Sequence, residues 1–254
     1  MQLGILADIH GNSRALEVVL DDAHRRGITE FVDLGDLYSG PLEPRRTHDI
    51  LNTVNLVAQV SGNMDRVIFE HVAAPTPTLE FVRKDLGPDT IGWLRTLPLT
   101  ALVDNQILLC HGSPTSDTCY LLEDISSGRP LVRPEAYILR DLGDAAGFPV
   151  ILCGHTHVPR LVQLANGPLI LNPGSVGLPA YDDDAPVPHF MEAFSPHACY
   201  AVLEEMKLGW TASFYRVPYD HRAAAQQARE LKRLDWAQGI EFGRMAITKA
   251  GQNF

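Results

Sequence analysis

The stretch Leu3-Gly4-Ile5-Leu6-Ala7-Asp8-Ile9-His10-Gly11-Asn12 joins the first apolar run of the chain to its first helix signal. Residues 3–7 read as a buried strand. Asp8 and His10, two positions apart at the strand end, are expected to project the same way, because side chains alternate with a period of two. A carboxylate oxygen and an imidazole nitrogen aimed at one point make half of a metal site. The fold then turns on whether later strands end in the other half.

Downstream, Ser13 suits a helix N-cap, and Leu16, Val19, Leu20 and Ala23 follow at helical spacing up to a stop at Gly27. FVDLGD at 31–36 reads as a strand, Pro44 opens a second helix carrying Ile50, Leu51 and Val54, and LVAQVSGN ends a third strand at Asn63. Strand and helix alternating over short links argue for parallel strands with right-handed crossovers. A helical stretch over roughly 65–97 follows. The style then changes: a hairpin turns at Asp104-Asn105, 112–133 is irregular, and a helix opens at Pro134. VILCGHTH is a strand and loop, LVQLANGPLILN a hairpin about Asn166-Gly167, and two more strands pair around 207–209. A last helix starts near Asp220, with Ala224, Ala228 and Leu231 on one face. With no linker-like stretch, one α/β domain over 1–254 is expected, with two mixed sheets and helices outside. The Asp182-Asp183-Asp184 run reads as a surface loop.

The chain has 254 residues, 45% of them hydrophobic, which is enough for a substantial core. A formal charge of -10 argues against a nucleic acid polymer as partner. No apolar run suits a membrane span, and Met1 leads almost directly into the first strand without a signal segment, so a cytoplasmic location is expected. Cys110 and Cys153 lie in the apolar runs ILLC and VILC and read as small buried hydrophobes, while Cys119 and Cys199 show no partner spacing.

Five strand ends carry potential ligands: Asp8 with His10, Asp36, Asn63, His111, and His155 with His157. Gly35, Gly62, Gly112 and Gly154 each stand beside one of them, and glycine permits the tight turns that bring loops together. In open α/β sheets, ligands gather beyond the carboxyl ends of strands, where these residues can converge. Seven groups suffice for two divalent metals if one carboxylate bridges them, and Asp36 is the natural bridge. Two metals at about 3.5–4 Å clamp both the nucleophile and the phosphoryl oxygens of an in-line displacement. A bridging hydroxide positioned by Asp36 then attacks, and no serine or cysteine nucleophile is required. Taken singly, Gly35-Asp36 and Gly62-Asn63 are ordinary turn dipeptides; their order, each at a strand end, makes the pattern.

Asp8-x-His10, Gly35-Asp36, Gly62-Asn63-x-Asp65, His111-Gly112 and Gly154-His155-x-His157 together resemble the calcineurin-like metallophosphoesterase superfamily. The segment from Leu171 to Gly177 (LNPGSVG) resembles its small bacterial branch, grouped with dinucleoside-tetraphosphate hydrolases and protein phosphatases. The resemblance implies the metallo-dependent phosphatase fold, a four-layer αββα sandwich of two mixed sheets flanked by helices. It also implies that Asp8, His10, Asp36 and His157 hold one metal, and Asp36, Asn63, His111 and His155 the other. Mixed imidazole and carboxylate ligands admit manganese, iron, zinc, cobalt or nickel.

One position departs from the pattern. Many members carry histidine after the motif asparagine, where it helps stabilise or protonate the reacting phosphate; here the residue is Met64. A general-acid contribution of about 10²–10⁴-fold is then missing unless another group provides it. Asp65, which would orient that histidine, becomes free to cap the following helix. The expected substrate is a small phosphorylated molecule (a phosphodiester, nucleoside polyphosphate or activated monoester), with good leaving groups preferred: nucleoside polyphosphates, aryl phosphate esters or activated diesters. Diadenosine tetraphosphate hydrolase is the leading specific alternative, then Ser/Thr protein phosphatase, then a non-catalytic scaffold like the retromer subunit of similar fold. A Gly-x-Gly-x-x-Gly turn, which would suggest a dehydrogenase, is lacking after the first strand. Asn12 and Arg66 flank ligands and are candidate substrate contacts, with Arg160 a weaker one. His24, His48, His71, His189, His197 and His221 read as surface residues, and 181–197 as a lid insertion.

Overall fold

The computed structural model describes residues 1–245. The first half of the chain runs β1 (Gln2–Leu6), α1 (Ser13–Arg25), β2 (Phe31–Asp33), α2 (Pro44–Leu51), β3 (Leu56–Gln59), α3 (Asn63–Phe69) and α4 (Pro77–Leu94). Strands then dominate: β4 (Thr100–Val103), β5 (Ile107–Cys110), β6 (Glu123–Asp124), β7 (Leu131–Val132), α5 (Glu135–Leu142), β8 (Val150–Leu152), β9 (Arg160–Gln163) and β10 (Leu169–Asn172). The last part holds β11 (Ala180–Asp183), β12 (His189–Glu192), β13 (Ala198–Met206), β14 (Gly209–Val217), α6 (His221–Glu230) and α7 (Leu234–Phe242).

Two five-stranded sheets result, ordered β14-β13-β1-β2-β3 and β4-β5-β8-β10-β9. In the first, β1, β2 and β3 are parallel, with β13 and β14 added antiparallel. In the second, β5, β8 and β10 are parallel between antiparallel edges β4 and β9. Strand alternation sorts the side chains into layers. Leu3 and Ile5, Ile107 and Leu109, Val150 and Leu152, and Leu169 and Leu171 pack together between the sheets. Leu6 and Phe31 face outward against α1 and α4, while Leu108, Ile151 and Ile170 face Ile138 and Leu142 of α5. This is the expected sandwich of two mixed sheets between helices. Cys110 and Cys153 are buried in the second outer layer, where burial pushes the Cys110 thiol up to about 12.

The expected helix over 65–97 is two helices. Pro75 and Pro77 force extended backbone at the residues before them, and Thr76 caps α4 at ψ 155° instead. Gly87, at φ 74°, and Pro88 kink α4 further. The Asp182-Asp183-Asp184 run is also not simply a loop, since Asp182 and Asp183 belong to β11, paired with β12 in a separate hairpin. The helix α7 was not foreseen; it is short, and its buried Trp236, Gly239 and Ile240 include a glycine that weakens the helical signal. Among the described residues, no helix is long and apolar enough to cross a membrane.

Leu152, fully buried between the sheets, is expected to cost about 2–5 kcal/mol when replaced by Ala. Leu208→Ala, at 97% exposure, is expected to change stability by less than about 0.5 kcal/mol. Urea unfolding of both variants checks the layer assignment; equal effects would contradict it.

Candidate metal centre

The candidate ligands lie just beyond the carboxyl ends of β1, β2, β3, β5 and β8. Their backbone is unusual. Asp8, His10, Asp36, His155 and His157 have φ of 55°, 52°, 58°, 69° and 59°, a left-handed region that costs a non-glycine residue roughly 1–2 kcal/mol. Such strain concentrates at functional sites. It also corrects the expectation for Asp8 and His10. Strand β1 ends at Leu6, so the two side chains converge because a left-handed turn aims them, not because of strand alternation.

At the centre, His157 Nε2 lies 3.3 Å from Asp8 Oδ1 and 3.1 Å from His10 Nε2. His10 Nε2 is 3.8 Å from Asp36 Oδ2, which is 3.5 Å from His111 Nε2 on its other side. Asn63 Oδ1 is 3.0 Å from His111 Nε2. One ligand atom each from Asp8, His10 and His157 falls within 4.8 Å of the others, and so does one each from Asp8, Asp36 and His111. His155 stands at the edge of these groups. Its backbone N–H donates to Asp8 Oδ2 at 3.2 Å, and its ring lies 5.2 Å from that of His111.

Hydrogen bonds on the far sides of the rings set the tautomers. The Nδ1–H groups of His10, His111 and His157 donate to the carbonyls of Ser39, Leu34 and Leu178 at 2.8, 2.7 and 2.5 Å. With Nδ1 engaged in this way, each ring turns its Nε2 inward. The Nε2 atoms of His10 and His157 face each other at 3.1 Å, and the buried Asp8 Oδ1 has no hydrogen-bond partner. A divalent cation satisfies all of these atoms together, so the donor set fits a metal. The proton affinities of His10 and His155 agree, whereas at His111 burial is outweighed by the Asp36 carboxylate, which raises the imidazole to about 10. Burial, with His111 nearby, pushes His155 down to about 4, and burial lowers His10, so both are neutral at pH 7. Burial alone would raise Asp36, but His111, His10 and His155 outweigh it and hold the carboxylate below its usual range.

Neighbouring loops hold these groups in register. A Cβ on Gly62 would collide with the Asp36 carboxylate, and one on Gly35, at φ 94°, with the Gly62 backbone. Both positions need glycine because the two loops touch there. Asp65 does cap α3, accepting from Gly62 N–H at 3.0 Å. It also accepts from Asp36 N–H and Leu37 N–H at 2.8 and 2.9 Å, a role that sequence reasoning missed. Burial and the Asp36 charge raise its carboxyl to about 7. Met64 contributes through its backbone, donating to Asp36 Oδ1 at 2.8 Å. From the Leu171–Gly177 segment, Ser175 Oγ–H donates to the Asp8 carbonyl at 2.7 Å, and Asn172 Nδ2–H to the Gly154 carbonyl at 2.7 Å.

Asn12 and Arg66, the expected substrate contacts, lie away from the cavity lining and are engaged elsewhere. Asn12 is 1% exposed; it caps α1 through Ala15 N–H and donates to the Gly177 carbonyl and the Tyr219 hydroxyl. Arg66 is bidentate on Asp117 at 2.6 and 3.2 Å and pairs with Glu70. Arg160 is likewise held by Glu123 at 2.8 Å. Neither Asn12, Arg66 nor Arg160 lines the cavity of about 200 Å³ that opens beside His10, Asp36, His155 and His157. His189 is not a surface residue: it is 1% exposed, behind Tyr120. Tyr120, Tyr181 and Trp236 line the cavity and had no sequence signal, since lone aromatics at no fixed spacing read as core.

A model of the calcineurin-like phosphoesterase superfamily domain matches residues 1–191. An uncharacterized protein of Methanocaldococcus jannaschii is 24% identical over 203 residues, 70% of this chain and 76% of that one. The crystal structure of a metallophosphoesterase from Sphaerobacter thermophilus superposes with TM-score 0.73 at 24% identity, over 96% of this chain and 100% of that one. A hypothetical protein from Pyrococcus horikoshii OT3 gives TM-score 0.73 at 20% identity, over 96% and 99%. These two structures establish the shared fold.

Asp65→Ala removes the carboxylate that anchors three backbone N–H groups around Asp36 while leaving every candidate ligand in place. Its metal content after dialysis is expected to fall well below that of the parent, with a further stability loss of about 0.5–2 kcal/mol from the cap. Elemental analysis reads the outcome, and unchanged metal content would show that Asp65 serves α3 alone.

Proposed function

The chain belongs to the calcineurin-like phosphoesterase superfamily, and from that premise we propose that it hydrolyses a small phosphorylated molecule at a centre of two divalent ions. Membership makes it a metal-dependent hydrolase acting on phosphoester bonds. In our reading Asp8, His10, Asp36 and His157 hold one ion, and Asp36, Asn63, His111 and His155 the other. The observation that carries this reading is the position of Asp36 Oδ2, with His10 Nε2 at 3.8 Å and His111 Nε2 at 3.5 Å, one from each ligand set. Divalent ions there supply positive charge against a phosphate and acidify a coordinated water. Manganese, iron, zinc, cobalt and nickel all suit imidazole and carboxylate donors. The chain acts as one domain, with the β11–β12 hairpin as the lid insertion.

The protein residues orient the substrate around these ions. Asn63 faces the cavity, and with Oδ1 directed at the ion beside His111 its amide N–H groups would be left for a phosphoryl oxygen. Met64 lines the same cavity and offers no proton. The leaving group must therefore depart with little protonation, which favours activated diesters, nucleoside polyphosphates and aryl phosphate esters over phosphoserine. Every expected ligand position holds a competent residue, and these residues converge, which favours hydrolysis over a purely scaffolding role.

Hydrolysis of aryl esters of graded leaving-group pKa, with manganese and with the other metals, is expected to slow steeply as the leaving group becomes more basic. A flat dependence, with chemistry shown to limit the rate, would remove the Met64 argument. Asp36→Asn is expected to abolish activity on every substrate of a panel of mononucleotides, cyclic nucleotides, diadenosine tetraphosphate and aryl diesters. Retained activity would refute the bridging assignment.

A further inference from the structure

The cavity beside the centre is walled by three aromatic rings that pack against three candidate ligands. Tyr120 stacks on His155 with centroids 4.9 Å apart and planes at 23°. Tyr181 meets His157 edge-on at 4.7 Å, and Trp236 meets His10 edge-on at 5.3 Å. They come from the loop after β5, from β11 and from the first turn of α7, and Trp236 lies outside the segment that the family model matches.

Each ring is locked from behind. His189 Nδ1–H donates to the Val187 carbonyl at 2.7 Å, so its Nε2 accepts from the Tyr120 hydroxyl at 3.0 Å. The Tyr181 hydroxyl donates to the His155 carbonyl at 3.1 Å. Arg233 lies over Trp236 at 5.3 Å and is fixed by Asp235 at 2.9 Å and Thr78 at 3.0 Å. With both hydroxyls engaged, ring carbon rather than free O–H groups lines this side of the cavity.

Charge divides the cavity in two. Apart from the candidate ligands, its charged lining among the described residues is Asp182, Asp183, Asp235 and Arg233. Arg233 and Asp235 neutralise each other. Asp182 and Asp183, exposed on the hairpin, are left facing an incoming anion. Attraction for a phosphate is thus confined to the metal side, and the outer side repels further negative charge. A diester with an aromatic arm puts its single charge at the metals and its ring on the aromatic wall. A polyphosphate carries charge out towards the two aspartates.

We propose that this cavity is a subsite for an uncharged aromatic group esterified to the reacting phosphate. The enzyme thereby selects singly charged aryl phosphodiesters over nucleoside polyphosphates. The inference rests on the phosphoesterase reading and narrows its substrate.

The test uses the full chain loaded with manganese. Bis-p-nitrophenyl phosphate is expected to exceed ATP and diadenosine tetraphosphate in kcat/KM by at least about tenfold. Trp236→Leu is expected to raise KM for the diaryl ester about tenfold with a smaller change in kcat, the mark of lost uniform binding. The exposed pair D182N/D183N carries little risk to folding, and it is expected to shift the ATP-to-diester ratio towards ATP by at least about fivefold, less so at high salt. Metal content equal to the parent's in both variants assigns these effects to the subsite. A wild-type preference for polyphosphates, or a ratio that D182N/D183N does not move, would overturn the inference while leaving the phosphoesterase reading intact. Hydrolysis of no substrate with any of the metals would instead overturn that reading, and the inference with it.

Discussion

Asp8 and Asp36 are buried among imidazoles whose Nε2 atoms point at one another and at the carboxylates. Without a cation, His10 Nε2 faces His157 Nε2 at 3.1 Å and a buried oxygen is left unpaired at Asp8 Oδ1. A divalent cation converts the same arrangement into a set of favourable contacts. Much of the local backbone serves to keep the groups in that place. The left-handed turns at Asp8, His10, Asp36, His155 and His157 aim the ligands, and the strain they carry is tolerable because packed sheets hold both ends of each loop.

The two sheets make this convergence possible. Parallel β1, β2 and β3 deliver three loops at one end of the first sheet, and β5 and β8 deliver two at one end of the second. The apolar layer between the sheets fixes their separation, and glycines at 35 and 62 let neighbouring loops touch. Asp65 then ties the Asp36 loop to the start of α3, so a helix cap and the loop of a candidate ligand share one carboxylate.

Electrostatics reconcile an acidic chain with an anionic substrate. The net charge of -10 repels polyanions at long range, yet two carboxylates against two dications would leave the centre positive. In the proposed reading field and shape would act at different distances: metals would hold the reacting phosphate, and the aromatic wall and hairpin aspartates would sort what is attached to it.

The amino-acid sequence by itself determined the strand-helix alternation, the strand ends and the carboxylate, amide and imidazole side chains placed on them. Those signals are local: apolar periodicity, caps, and glycine beside a polar ligand are all read within a few residues. It also marked Met64 as the position where proton donation is absent. Tertiary structure decided everything that depends on distant segments meeting. Asn12 and Arg66 look available in the sequence, but Gly177, Tyr219 and Asp117 occupy them. His189 reads as a surface residue until the β11–β12 hairpin buries it behind Tyr120. The substrate wall is the clearest case. Tyr120, Tyr181 and Trp236 have no shared spacing, and only the folding of the loop after β5, the hairpin and α7 around one cavity makes them neighbours. Side chains brought together by long-range packing leave no periodic trace in a sequence, because burial there is set by what arrives from elsewhere in the chain.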